Sequence, residues 1–390
     1  MVPAFYFLAI YAAIWILVTI AWWAFKAERF GITGLPFYLI YRTTRLNKWI
    51  ERIADSSRTT WRTIWNIGIV TGIGLMVYIF YQLGKNLLNL FIKSSQAVSI
   101  QPIVPIPGLG VTFETFPYLV LALTVVVVSH ELSHGIASLV DRIPLKTTGV
   151  FFAHLLMGGF VEPDEEKLAK ANNAAKLRVF AAGSYTNVVL GVIVVFLLFS
   201  FPATISPFYN VVQTGVLIGG VPDNLPAQLA GLRTGDVVSS INGTTISGIV
   251  TLRNFMNKVT PGQVVVIGTQ RGEFAVRTEA DPTNSTHSLI GISGLTDNTE
   301  YNPKFQFMPR GLPTILLHAE FWLSVVLVSV ALINMLPMYP FDGDKFLETT
   351  LNVLGLQKTK QLRMVANFAA YSLLLLNVGL SLIRFGFLRY

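Results

Sequence analysis

The chain has 390 residues, 52% of them hydrophobic and 13% charged, and its mean hydropathy is +0.57. Soluble domains carry about 25% charged residues. This chain therefore has too few charges to coat a soluble globule and reads as a polytopic α-helical membrane protein. It has no cysteine and a net charge of +8, which excludes a disulfide framework, a cysteine zinc site, an iron–sulfur cluster and a cysteine nucleophile. In a membrane protein the cationic excess reports topology, not nucleic acid.

Residues 1–25 contain no charged side chain, long enough for a first span. The cations follow this stretch, which predicts an uncleaved helix with its N-terminus outside. Trp22 and Trp23 at its end read as an interfacial belt. Residues 26–65 hold eight Lys/Arg against three acids and are expected on the cytoplasmic side. A second span is expected over 63–84. Residues 94–116 lack Lys and Arg, contain Pro102, Pro105 and Pro107, and read as an outer loop. A third span starts near Phe116 and a fourth runs from Val179 to about Phe201. Between them, 141–178 carries six Lys/Arg and returns to the cytoplasmic side. Within it, 147–161 is apolar and β-prone but too short for a span, so it predicts a re-entrant hairpin that contains His154, read as a packing or interfacial residue. The stretch from Pro163 begins with acids and ends with cations, the charge order of a helix that complements its dipole.

Residues 208–281 regain charges and alternate short Val/Ile runs with Gly/Asn turns, the pattern of a small soluble domain on the outer face. Asn242-Gly-Thr244 and Asn284-Ser-Thr286 there are glycosylation-type triplets. A fifth span is expected over 321–341 and a sixth over 364–383, six in all. The expected organisation is 1–116 for the first two spans and their loops, 117–207 for the first part of a core, 208–281 for the outer domain, 282–345 for a linker and core helix, and 346–390 for the last span.

The third span contains His130-Glu131-Leu132-Ser133-His134, an HExxH motif. Positions i and i+4 share one helix face, so both imidazoles can ligate one zinc ion and Glu131 can serve as the general base. A chance pair of histidines is the ordinary alternative in a soluble helix. Here the motif interrupts an apolar span, where an acid costs about 2.5–3.5 kcal/mol on insertion scales. A catalytic zinc takes three protein ligands and keeps one position open. The other histidines are His154, His287 and His318, and the last two are expected at the outer side, the wrong depth. The fifth span ends in Asn334-Met-Leu-Pro337-Met-Tyr-Pro340-Phe-Asp342-Gly343-Asp344. Its prolines break the helix and Gly343 permits a turn. Asp342 is thus the expected third ligand, against a plain solvated Asp-Gly turn.

HExxH in one span, N-x-x-P-x-x-x-x-D-G in a later one, and Gly183-Ser-Tyr-Thr-Asn187 between them together resemble the site-2 protease family of intramembrane zinc metalloproteases. The resemblance implies a three-helix core over roughly 117–201 and 314–345. It implies zinc on His130, His134 and Asp342, and Glu131 as the base. It further implies that Asn334 contacts the substrate backbone while Gly183 and Asn187 pack beside the site. Asp344 stands where many relatives have a second glycine, so it is the alternative third ligand. The hairpin is expected to capture an unwound substrate segment by strand addition, with a structural re-entrant loop as the alternative. Residues 215–243 resemble a PDZ domain of microbial proteases, which implies a peptide or substrate tail as partner, or else a size filter without a ligand.

The expected activity is a zinc metalloendopeptidase of the cell membrane that cuts transmembrane segments of other membrane proteins, with its active site towards the cytoplasm. Two other classes are open: a membrane zincin that cuts soluble or interfacial peptides, and a non-catalytic membrane receptor with a PDZ-like domain. The first usually pairs HExxH with a downstream E-x-x-x-H, which is missing from this sequence, and a receptor has no use for Glu131. Spans one, two and six offer no chemistry to the sequence reading and are expected to flank the core and gate substrate entry.

Overall fold

The computed structural model describes residues 4–35, 38–108, 110–153, 156–281 and 284–387. The chain divides into two units, one built from residues up to Phe199 and from Leu316 onward, the other from Ser200–Ile315.

The first unit opens with α1 (Ala4–Ala24), a hairpin of β1 (Ile32–Leu35) and β2 (Tyr38–Thr43), the short helix α2 (Arg45–Ser56) and the long helix α3 (Arg58–Phe91). α4 (Phe116–Val140) carries the HExxH motif and leads into β3 (Leu145–Ala153) and β4 (Leu156–Pro163). α5 (Glu165–Lys170) and α6 (Asn173–Phe199) follow. The expected acidic helix start is present, with the Asp164 side chain accepting from the Lys167 amide at 3.1 Å. This is an N-cap that satisfies one of the orphan donors of the first turn.

The hairpin at 147–161 is half of a larger sheet. β3 and β4 pair antiparallel, and β2 extends them through Thr43↔Thr148 and Arg42↔Gly149, giving the order β1-β2-β3-β4. Residues expected to form an ordinary cytoplasmic loop therefore supply two strands and an amphipathic helix. Their Tyr/Leu/Ile/Thr run is short, and only pairing with a distant strand makes it a strand. Trp15 of α1 stacks on Phe152 of β3 at 5.1 Å. His154 lies outside the described residues.

The second unit contains α7 (Phe201–Ile205), β5 (Tyr209–Leu217), α8 (Pro226–Leu229), β6 (Val237–Ile241), β7 (Thr244–Thr245), α9 (Ile249–Met256), β8 (Val264–Thr269), β9 (Gly272–Arg277), β10 (Glu279–Asp281), β11 (Asn284–Leu289) and β12 (Thr296–Pro303). Five strands run in the order β12-β5-β6-β8-β9, with β7 on β6. Val216, Ile218, Val238, Ile241, Val265 and Ile267 fill its core. The domain expected over 208–281 thus extends to residue 303, because β12 pairs with β5 along its whole length. This also places Val216 and Leu217 between two strands rather than at an open edge.

The chain returns to the first unit through α10 (Leu312–Asn334), α11 (Asp342–Val353) and α12 (Thr359–Phe385). Among the described residues, five helices (α3, α4, α6, α10 and α12) are long and apolar enough to cross a membrane. α1 (Ala4–Ala24), the first of the six expected spans, is a helix of 21 residues without a charged side chain. Around the motif the core joins Ile50, Trp65, Ile136, Ala137, Val140, Leu177, Ala181, Met335 and Phe346, drawn from α2, α3, α4, α6, the segment after α10, and α11.

Candidate metal centre

His130 and His134 lie one turn apart on α4, both buried, with ring centroids 4.7 Å apart and planes at 77°. The residue opening α11, 208 positions after His134, completes the cluster. Asp342 Oδ2 stands 3.1 Å from His130 Nε2 and 3.2 Å from His134 Nε2. One ligand atom of each of the three residues lies within 4.8 Å of the others.

Two glycines allow this convergence. A Cβ on Gly183 of α6 would stand 2.4–2.6 Å from Cε1, Nε2 and Nδ1 of His130, so only glycine lets that ring lie flat against α6. A Cβ on Gly343 would meet the Leu336 carbonyl oxygen at 2.4 Å and the Met335 carbonyl carbon at 2.5 Å. The start of α11 is thereby seated directly on the backbone that follows α10.

The histidines are oriented from behind. His134 Nδ1 donates to the Val179 carbonyl at 2.7 Å, which leaves the Nε2 lone pair facing Asp342. The Asn187 side-chain amide lies 3.2 Å from His130 Nδ1; Asn334 Nδ2 instead lies on the side that faces Asp342, 3.2 Å from His130 Nε2. Ser133 Oγ donates to the Ser129 carbonyl and, with its single proton so used, accepts from Thr186 Oγ1, each at 2.7 Å, tying the same turn of α4 to α6. Such outer partners fix tautomer and ring direction in metal sites.

Asp344, the other carboxylate of the Asp-Gly-Asp stretch, is turned away from this cluster. It is buried and accepts from Arg363 Nε at 2.7 Å, Arg363 Nη2 at 2.5 Å and Asn367 Nδ2 at 2.8 Å. His318 stacks on Tyr118 at 5.4 Å and His287 lies in β11. Neither belongs to the cluster.

A cavity of about 530 Å³ opens on the site and is lined by His130, Glu131, His134, Asn334 and Asp342, with Lys345 and Arg42 at its polar parts. Phe160, Val161, Glu162 and Pro163 of β4 form another side. Among the described residues β4 is an edge strand of its sheet, and its outer row of backbone groups pairs with no described strand.

The donor set suits a tetrahedral cation. Ligand atoms at 2.0–2.2 Å from zinc in tetrahedral directions stand about 3.3–3.6 Å apart, close to the 3.1 and 3.2 Å seen here. The two carboxylates brought together here, Glu131 on the apolar helix α4 and Asp342 at the start of α11, also call for a counter-charge.

Several residues around the site escaped the sequence reading: Val179, Ser133, Thr186, Lys345, Arg42 and the Arg178–Asp141 pair. Arg178 grips Asp141 with bonds of 2.7 and 2.8 Å and donates to Asn66 at 3.0 Å, one residue before the carbonyl that holds His134. Its sequence signal was a charge of each sign at the adjoining ends of two apolar spans.

A family model for peptidase family M50 matches residues 118–377. Among curated proteins, a membrane-bound transcription factor site-2 protease homolog of Arabidopsis thaliana is 30% identical over 140 residues, 36% of this chain and 27% of that protein. The matched part of the chain thus spans about a quarter of that relative's length. An uncharacterized protein of Methanocaldococcus jannaschii is 23% identical over 288 residues, 72% of this chain and 70% of that protein. Among solved structures, the PDZ domain of an SdrC-like protein from Listeria monocytogenes aligns with 20% of this chain and 86% of its own, at 24% identity and a TM-score of 0.19.

Proposed function

Since the chain belongs to peptidase family M50, a family of membrane metalloproteases, we propose that it is a zinc endopeptidase that hydrolyses peptide bonds inside transmembrane segments of other membrane proteins. The observation that carries this reading is the meeting of His130, His134 and Asp342 beside Glu131 in a cavity walled by an edge strand.

In this reading His130, His134 and Asp342 hold the zinc. A zinc ion held there would supply Lewis acidity towards the scissile carbonyl and towards water. Glu131 accepts a proton from the attacking water and returns it to the leaving amine. Val179 keeps the His134 proton on Nδ1. Asn187, turned so that its oxygen faces the ring, accepts the Nδ1 proton of His130. Asn334 offers its amide to the substrate backbone. A substrate helix must unwind before its peptide bonds can be reached, which exposes polar groups that need partners in an apolar medium. The outer edge of β4 at 160–163 supplies them by strand addition.

The charge distribution supports six spans, with 26–65 and 141–178 in the cytoplasm and the 200–315 unit outside. That unit is read as PDZ-like. Its peptide groove is assigned to the apolar cleft between α9 and residues 288–295, lined by Leu252, Met256, Leu289, Ile290, Ile292 and Leu295, not to 215–221.

The test is Glu131→Gln in the purified, membrane-reconstituted protein. It should keep zinc and lose cleavage of a model transmembrane substrate by at least ~10²-fold, the usual weight of a general base. Cleavage at the parent rate would refute the mechanism.

A further inference from the structure

Seven residues, 335–341, separate the end of α10 from Asp342. They include Pro337 and Pro340, which have no amide proton to donate, and the bonds inside the stretch are few, Met338 to the Leu336 carbonyl and Phe341 to the Met338 carbonyl, so contacts from outside it help to set the direction in which Asp342 leaves. Those contacts come from α12. Arg363, Asn367 and Tyr371 are spaced by four and share one face of that helix. Arg363 holds Asp344 with two bonds and reaches Glu348 at 2.7 Å. Asn367 donates to Asp344 at 2.8 Å and accepts from the Tyr339 amide at 3.0 Å. Tyr371 donates its hydroxyl to the Tyr339 carbonyl. Both backbone polar groups of Tyr339, three residues before Asp342, are thus satisfied by α12, and so is the carboxylate two residues after it.

Asp342 and Asp344 occupy the first turn of α11. Two positions on a helix are about 200° apart, so the two carboxylates point in nearly opposite directions. Pinning Asp344 to α12 turns Asp342 towards α4. The clamp itself is anchored farther along α12: Asn377 is fully buried, bonds to Asn86 and to the Leu83 carbonyl, and Ser381 accepts from the Ile100 amide.

We infer that Arg363, Asn367 and Tyr371 are positioning residues of the metal centre, through which α12 braces Asp342. The inference rests on the reading of Asp342 as a metal ligand.

The experiment uses the full chain in lipid nanodiscs. Zinc affinity is measured by chelator competition and ligand geometry by the visible spectrum of the cobalt-substituted protein, which is free of thiolate bands because the chain has no cysteine. Asn367→Leu should raise the zinc Kd at least ~10-fold, as loss of outer-sphere partners does, and alter the cobalt spectrum. Tyr371→Phe should shift both in the same direction by less. Arg363→Lys keeps the charge but loses the two-pronged geometry and should follow Asn367→Leu. Asn377→Leu, at the far anchor of the same helix, should lower Tm and leave Kd and spectrum unchanged. Wild-type Kd and spectrum in the clamp variants would overturn the inference. So would an equal shift in Asn377→Leu, which would mark general destabilisation. Asp342→Ala separates the premise: wild-type zinc affinity in that variant removes the ligand reading and the inference with it. If Asn367→Leu does not fold, Tyr371→Phe, which deletes one hydroxyl, decides the outcome.

Discussion

Gly183→Ala puts one methyl group against the first histidine of the motif. The added carbon would lie 2.4 Å from His130 Cε1 and 2.5 Å from Nε2. Carbon atoms in contact settle at about 3.5–4.0 Å, so the ring or α6 must move by about 1 Å. A displacement of that size at a reacting centre costs on the order of 10²-fold in rate, and overpacking costs about 1–3 kcal/mol of stability. The opposing effect is known in sign: an alanine in place of a helix-interior glycine stabilises by about 1 kcal/mol when it fits. The assay pairs zinc affinity and substrate cleavage with thermal unfolding. Gly191→Ala on the same helix is the control, since its Cβ would meet Val328 Cγ2 at 3.1 Å and Leu327 Cβ at 3.5 Å, away from the metal centre. We expect Gly183→Ala to lose zinc affinity and activity while Gly191→Ala keeps both. A Gly183→Ala protein that is more stable than the parent and fully active would refute the packing argument.

Arg178→Met removes the two-bonded partner of Asp141 and leaves it Arg62 at 3.4 Å; breaking a buried pair outright costs about 3–5 kcal/mol, and the remaining cation brings the cost below that. The loss should appear as a large drop in Tm that Arg178→Met/Asp141→Leu partly restores. In the 200–315 unit, hydrogen bonds from Arg271 at 2.5 Å hold the buried Asp236 carboxyl below its ordinary range. The folded-state value is depressed, so this stabilisation is present above the unfolded value of about 3.9 and is lost as pH falls below it through the folded value. Hydrogen-exchange protection of β6 and β9, corrected for intrinsic rates, should weaken on acidification in the parent and lose that component in Asp236→Asn. Topology is testable by single cysteines in a cysteine-free chain. Thr234→Cys should react with an impermeant reagent from outside and Glu166→Cys from the cytoplasm, and the reverse pattern would invert the proposed orientation.

The parts of this protein legible in sequence are those governed by short-range spacing and by solvent. Long uncharged runs mark helices because a bilayer-sized apolar segment has no other stable form in lipid, and the described structure has α3, α4, α6, α10 and α12 near the expected positions. His130 and His134 share a face because a helix repeats every 3.6 residues. The α5 start, the Asn242-Gly243 turn with positive φ at both residues, and the short α8 closed by Gly231 are equally local. The remainder depends on what meets what across long stretches of chain. Nothing near 38–43 says that it will join a sheet, because β2 pairs on one side with β3, about a hundred residues away. Nothing near 296–303 says that it belongs with β5, since a polar strand at a sheet edge reads like a linker. Asp342 and Asp344 are indistinguishable as letters two positions apart. Arg363, in a helix that the sequence had assigned no chemistry, occupies one carboxylate, and the helical turn between them aims the other at the histidines. Spacing within one helix is fixed by backbone geometry alone, whereas the choice between two neighbouring carboxylates is fixed only by the side chains that tertiary packing brings to each.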